Sequence, residues 1–185
     1  MLPRIGLAYL VSILLAFAAL ACGSGGDDAP PPDPTEPPTP DDATAIRHVD
    51  LALEPLVQTA MRQLGGGEIV KADILYADLT GDLREDAVVP ISSGGTLGNL
   101  GYVAVTLRNA VPTLILTRGA ERGSGSGIQM KIEDGRLVEM VGQYGPGDPL
   151  CCPTALRRTE FRWDGTMLQV EREERVPSSF APQKQ

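Results

Sequence analysis

A single histidine, three cysteines, 4% aromatic residues and no excess of basic side chains are what this 185-residue chain has little of. One imidazole and three thiols, two of them adjacent, supply too few ligands at any familiar spacing for a zinc site. A formal charge of −8 argues against general nucleic-acid binding, which presents surplus Lys and Arg to phosphates. The one imidazole, His48, has no Ser or Cys motif nearby to activate and the chain has no nucleophile elbow, so hydrolase chemistry ranks last. The glycine sets Gly94, Gly95, Gly98, Gly101 and Gly123, Gly125, Gly127 match no nucleotide-binding fingerprint, because no Gly-rich turn joins a strand to a helix with a following Lys. They read as loops between strands. No internal repeat is long enough for a solenoid or propeller.

Long apolar runs are also missing, with one exception at the N-terminus. Arg4, an apolar stretch from Ile5 to Leu20, then Ala21 and Cys22 form the charged, apolar and small-residue regions of an export signal. Ala19-Leu20-Ala21-Cys22 resembles a bacterial lipobox, although its Leu stands two before the Cys and not three. A plain secretory signal and an uncleaved anchor helix are the other readings. Acylation accounts best for a Cys followed directly by Gly23-Ser24 and a long polar tether. Residues 1–21 are therefore expected to be a lipoprotein signal peptide, with Cys22 lipidated and its membrane lipid the first partner. Each buried acyl CH₂ adds about 0.8 kcal/mol, so anchoring needs no transmembrane helix. The domain is then exported and held outside the cytoplasm, on the cell membrane or the outer membrane.

Residues 22–45 read as a Pro- and Asp-rich disordered tether. Pro30, Pro31, Pro32, Pro34, Pro37, Pro38 and Pro40 are seven of the 16 prolines. So few apolar side chains cannot offset the ordering entropy, and polyproline II segments extend by about 3.1 Å per residue, or roughly 60 Å over the twenty residues from Gly23 to Asp42. Six of the 24 acidic residues lie here (Asp27, Asp28, Asp33, Glu36, Asp41, Asp42). Setting aside Arg4 with the signal, the domain that follows carries 18 acidic against 15 basic residues, a net of −3. The acidity thus belongs largely to a self-repelling spacer.

The remainder predicts one globular α+β domain over residues 46–176 with a flexible tail at 177–185. Leu53, Leu56, Val57, Ala60, Met61 and Leu64 recur at helical spacing, so an amphipathic helix is expected to start near Leu53 and end at Gly65-Gly66-Gly67. The period then changes to two. Candidate strands are Ile69–Tyr76, Asp86–Ile91, Tyr102–Arg108, Thr113–Thr117, Gly127–Ile132, Leu137–Gly142, Leu156–Trp163 and Met167–Glu173. Asp134-Gly135 and Asp164-Gly165 are hairpin signals. The expected architecture is an antiparallel β-sheet of six to eight short strands with one N-terminal amphipathic helix on part of a face. Phe161 and Trp163, alternating with Arg162, are expected to be core and face residues and not a stacking platform.

Two stretches carry candidate chemistry. Asp78, Thr80, Asp82 and Asp86 stand at positions 1, 3, 5 and 9 of a loop, a spacing that can wrap hard oxygen ligands around calcium. The loop resembles those of EF-hands, dockerins and FG-GAP repeats, but Leu83 replaces the bend glycine and Val89 replaces the bidentate Glu. The alternative is a turn in which Asp78 and Asp82 cap backbone amides. Cys151 and Cys152 are adjacent, and once Cys22 is acylated they are the only thiols left in an oxidising location. A vicinal disulfide that stiffens the Pro-rich loop stands beside free buried thiols, intermolecular bonds and a redox or soft-metal site.

The block Cys151-Cys152-Pro153-Thr154, the segment Gly145–Thr154 around it, the Thr80–Val89 loop and Phe161–Leu168 together resemble mycobacterial LppP/LprE-type lipoproteins and related exported domains of unknown function. The likeness covers about residues 45–175 and implies an envelope lipoprotein with no established activity. The leading expectation is a non-enzymatic, lipid-anchored envelope domain that presents a sheet to a protein, glycan or small ligand. The alternative is a calcium-stabilised or vicinal-thiol (redox or soft-metal) envelope module.

Overall fold

A computed structural model describes residues 37–120, 127–149 and 151–178, all within the unit Thr35–Gln185. The signal segment, Cys22, most of the tether, Gly123, Gly125 and residues 179–185 lie outside the described residues. The first elements come earlier than the tether reading places them. Helix α1 spans Pro40–Ala43, with Thr39 Oγ1 capping the Asp42 amide, and a 3₁₀ turn follows at Ala45–His48. Helix α2 spans Pro55–Gln63, with Pro55 in its first turn, where a missing N–H leaves no bond unmade. Leu53, expected on the apolar face, precedes this start and is exposed.

Eight antiparallel strands follow: β1 Leu75–Ala77, β2 Asp86–Ser92, β3 Asn99–Arg108, β4 Val111–Gly119, β5 Ile128–Glu133, β6 Arg136–Gln143, β7 Ala155–Trp163 and β8 Leu168–Pro177. They form two sheets of four, β1-β2-β3-β4 and β5-β6-β7-β8, each in sequence order. The α+β antiparallel expectation holds, with the strands divided between two sheets. The first candidate strand contracts to three residues because Lys71–Asp73 turns as a 3₁₀ segment. Pro177, expected in the tail, ends β8, and the Ser178 amide donates to the Thr154 carbonyl. Both Asp-Gly pairs make hairpin turns, Asp134 and Gly135 at φ 49° and 74°, and Asp164 accepting from the Thr166 and Met167 amides. Asn109 and Ala110 turn β3 into β4 at φ 51° and 61°, a primed turn without the usual glycine.

Each sheet owes its place to its two faces. Val88, Tyr102, Ala104 and Leu116 of the first sheet meet Ile128, Leu137, Val141 and Phe161 of the second in one core. On its other face, Ala87, Val89, Ile91, Val103 and Val105 pack under Ile46, Leu51, Val57 and Ala60 of the helical layer. The first sheet is thus covered on both sides, which explains why β2 and β3 read as nearly continuous apolar runs. Each large side chain buried this way contributes about 1.5–3 kcal/mol. Gly101, expected in a loop, lies in β3 opposite Gly119, where an added Cβ would meet the Arg118 carbonyl and the Leu64 side chain. The outer face of the second sheet is charged and self-paired. Arg158 reaches Glu133, Glu160 and Glu174, while Arg172 pairs with Glu174 and Arg136 with Glu171.

Candidate functional site

The acidic loop between β1 and β2 is built from its carboxylates. Asp78 Oδ1 accepts from the Gly81 and Asp82 amides at 2.6 and 3.2 Å, and its Oδ2 from the Leu83 amide at 2.9 Å. Asp82 Oδ1 accepts from the Arg84 amide at 2.9 Å. Leu83 takes φ 66°, so the chain makes the bend that a glycine would make and leaves the Leu83 side chain exposed. Asp86 is fully buried; its Oδ2 accepts from the Leu79 and Thr80 amides at 2.8 and 3.0 Å. Burial pushes the Asp86 carboxyl up to about 6, against the hydroxyl of Thr106 and those two amides, which favour its ionised form. Asp86 Oδ1 and Thr80 Oγ1 are buried without a hydrogen-bond partner. Among the described residues no three His, Cys, Asp or Glu side chains converge as a metal-holding group. The arrangement that is present is a carboxylate-capped turn.

The β6–β7 loop is closed at its neck by Asp148, whose Oδ2 accepts from the Gly145 and Thr154 amides at 2.7 and 2.9 Å. Those two bonds hold the Asp148 carboxyl below the usual carboxylate range. The Cys152 amide donates to the Pro149 carbonyl, and the sulfurs of Cys151 and Cys152 stand at bonding distance with Cα atoms 3.8 Å apart. Cys151 is exposed and Cys152 half-buried.

Between the sheets lies a buried polar group. Glu139 of β6, fully buried, accepts from Tyr102 Oη at 2.9 Å and from Arg118 Nε and Nη2 at 2.9 and 2.7 Å. Desolvation, and then the adjacent Glu139 charge, push the Tyr102 phenol well above its ordinary range, so it stays a donor. The guanidinium of Arg118 also lies 5.7 Å from the centre of the Phe161 ring.

A cleft of about 370 Å³ opens between the Ala45–His48 turn and β1, lined by Arg47, His48, Val49, Asp50, Leu51, Lys71, Ile74 and Tyr76. Arg47 is fixed on two sides. Its Nε and Nη2 fork onto Glu85 at 2.5 and 2.8 Å, and its plane lies 4.3 Å from the Tyr76 ring centre. Lys71 Nζ donates to Asp50 Oδ2 at 2.8 Å. These partners hold both carboxyls below their ordinary range.

Compared with known protein families, curated proteins and solved structures, the chain matches none.

Of the residues singled out from sequence, the structure gathers Asp78, Thr80, Asp82 and Asp86 into one turn and brings the two loop sulfurs together. His48 stands exposed at the cleft. Cys22 lies outside the described residues. The Tyr102–Glu139–Arg118 group carried one overlooked signal: Glu139 falls on the inward period between Leu137 and Val141. The cleft carried none, since its cations and its ring come from separate segments.

Proposed function

We propose that this chain is a lipid-anchored bacterial cell-envelope lipoprotein of the LppP/LprE-like kind, with a non-enzymatic binding or structural domain outside the cytoplasm. The order of segments carries this reading. Cys22 ends the apolar run, the polar and proline-rich residues 23–36 follow, and the described folded residues begin at 37. An acylated cysteine ahead of a proline-rich spacer holds a folded domain at a distance from a membrane. Its partner is an envelope protein, a glycan or a small ligand. The test is Cys22→Ser, with membrane fractionation and metabolic palmitate labelling. Loss of label and release from the membrane is the expected result; stable attachment without Cys22 would overturn the reading.

A thiol-dependent module is the second reading, favoured by the bonding distance between the Cys151 and Cys152 sulfurs and by the exposure of Cys151. In it, a dithiol reductant delivers two electrons and two protons to open the bond to two thiols. Intact mass after alkylation without reductant separates the versions. An unmodified pair is expected, and two alkyl adducts on freshly isolated protein would exclude the disulfide.

A further inference from the structure

The cleft beside β1 brings together Arg47, Lys71 and His48, with Asp50 in its lining and Glu85 paired to Arg47, so its two cations are balanced by two carboxylates. Neither cation is used up. A guanidinium has five N–H donors and an ammonium three, and the Arg47 fork to Glu85 leaves the Nη1 hydrogens free of that pairing. Lys71 gives Asp50 a single bond and remains 65% exposed at its side chain, so its other hydrogens are open to a further acceptor. Glu85 and Tyr76 hold the Arg47 plane in place, which lowers the entropy lost when it grips a second partner. The other lining residues are Val49, Ile74, Tyr76 and Leu51, the last buried in the core beneath. A volume of about 370 Å³ falls in the range of small-molecule sites.

We propose that this cleft binds a small organic anion, a carboxylate or phosphate ester on an apolar body, with Arg47 and Lys71 holding the oxyanion and Tyr76, Ile74 and Val49 covering the body. Arg47 supplies directed donors and Lys71 a point charge, the combination that recognises oxyanions. The inference takes the domain as a binding module but is independent of lipidation at Cys22, so a negative result here leaves the anchoring test untouched.

The experiment is calorimetric titration of the full chain in neutral detergent with phenyl phosphate, phenol and inorganic phosphate, on wild type, Lys71→Gln and Arg47→Lys. Lys71→Gln alters an exposed side chain, and Arg47→Lys keeps the charge while losing the fork, so both variants are expected to fold; unchanged melting checks this. Phenyl phosphate is expected to bind more tightly than either fragment. Loss of one charge-assisted bond in Lys71→Gln is expected to weaken it by about tenfold. No heat from phenyl phosphate at millimolar concentration, or equal binding by Lys71→Gln, overturns the proposal. Inorganic phosphate binding as tightly as phenyl phosphate overturns the role given to the apolar lining.

Discussion

Replacing Glu139 with Ala tests how the two sheets are joined. The carboxylate is fully buried and accepts three hydrogen bonds from the opposite sheet, one from Tyr102 and two from Arg118. Its removal leaves the Tyr102 hydroxyl buried without that partner, which costs about 1–3 kcal/mol. Arg118 loses both ends of its fork, but its side chain is 32% exposed, so water recovers part of that loss. With the cavity left by the missing methylene and carboxylate, the total is about 3–4 kcal/mol, near the lower end of the roughly 3–5 kcal/mol range for breaking a buried pair from one side. For a domain of this size that is a fall in Tm of about 10–15 °C. Urea unfolding of Glu139→Ala measures it. The combined variant Tyr102→Phe, Arg118→Met, Glu139→Leu removes every member of the group together, and stability within about 1 kcal/mol of wild type is expected. A loss below about 1 kcal/mol in Glu139→Ala alone would refute the claim that this carboxylate satisfies buried donors.

Asp86 holds its proton up to about pH 6 in the folded protein, against 3.8 in the unfolded chain. The folded state binds the extra proton between these values, so this contribution is full below about pH 3.8, falls as pH rises and is gone above about 6. Relative to Asp86→Asn, wild type is expected to lose about 3 kcal/mol of unfolding free energy between pH 4 and pH 7.5, at about 1.4 kcal/mol per pH unit; a pH-independent difference in chemical denaturation refutes it. Asp78→Ala removes the acceptor for three backbone amides and is expected to cost about 1–2 kcal/mol, with millimolar calcium leaving the wild-type Tm unchanged. A calcium-dependent rise in Tm that Asp82→Ala abolishes refutes this expectation and supports the calcium reading.

Much of the fold was legible because local chemistry decides it. Alternation in Leu137–Val141 and Asp-Gly at 134–135 leave little choice but a hairpin, and the structure has one there. The division into two sheets was not legible, because hairpin signals give the order of strands and not the place where pairing stops. The start of α2 was displaced to Pro55 because periodicity extends to Leu53 while the first turn is set by the proline. At the acidic loop the residues and the capping by Asp78 and Asp82 were both legible, but the same Asp spacing also serves a cation, so the spacing alone did not choose between the two. The cleft depends on pairs such as Arg47 with Glu85 and Lys71 with Asp50, whose meeting is a product of packing and leaves no periodic trace.

The topology of two successive four-strand sheets also determines how the chain can be divided. Every strand ladder joins neighbours in sequence, and among the described residues no ladder joins β4 to β5. A cut between Ala120 and Gly127 therefore severs no strand pair and parts the molecule into two meanders, each with a complete set of ladders. What such fragments lack is each other's apolar face and, for the N-terminal one, the carboxylate that Tyr102 and Arg118 share. The protein is thus laid out as two successive meanders that share one core between the sheets.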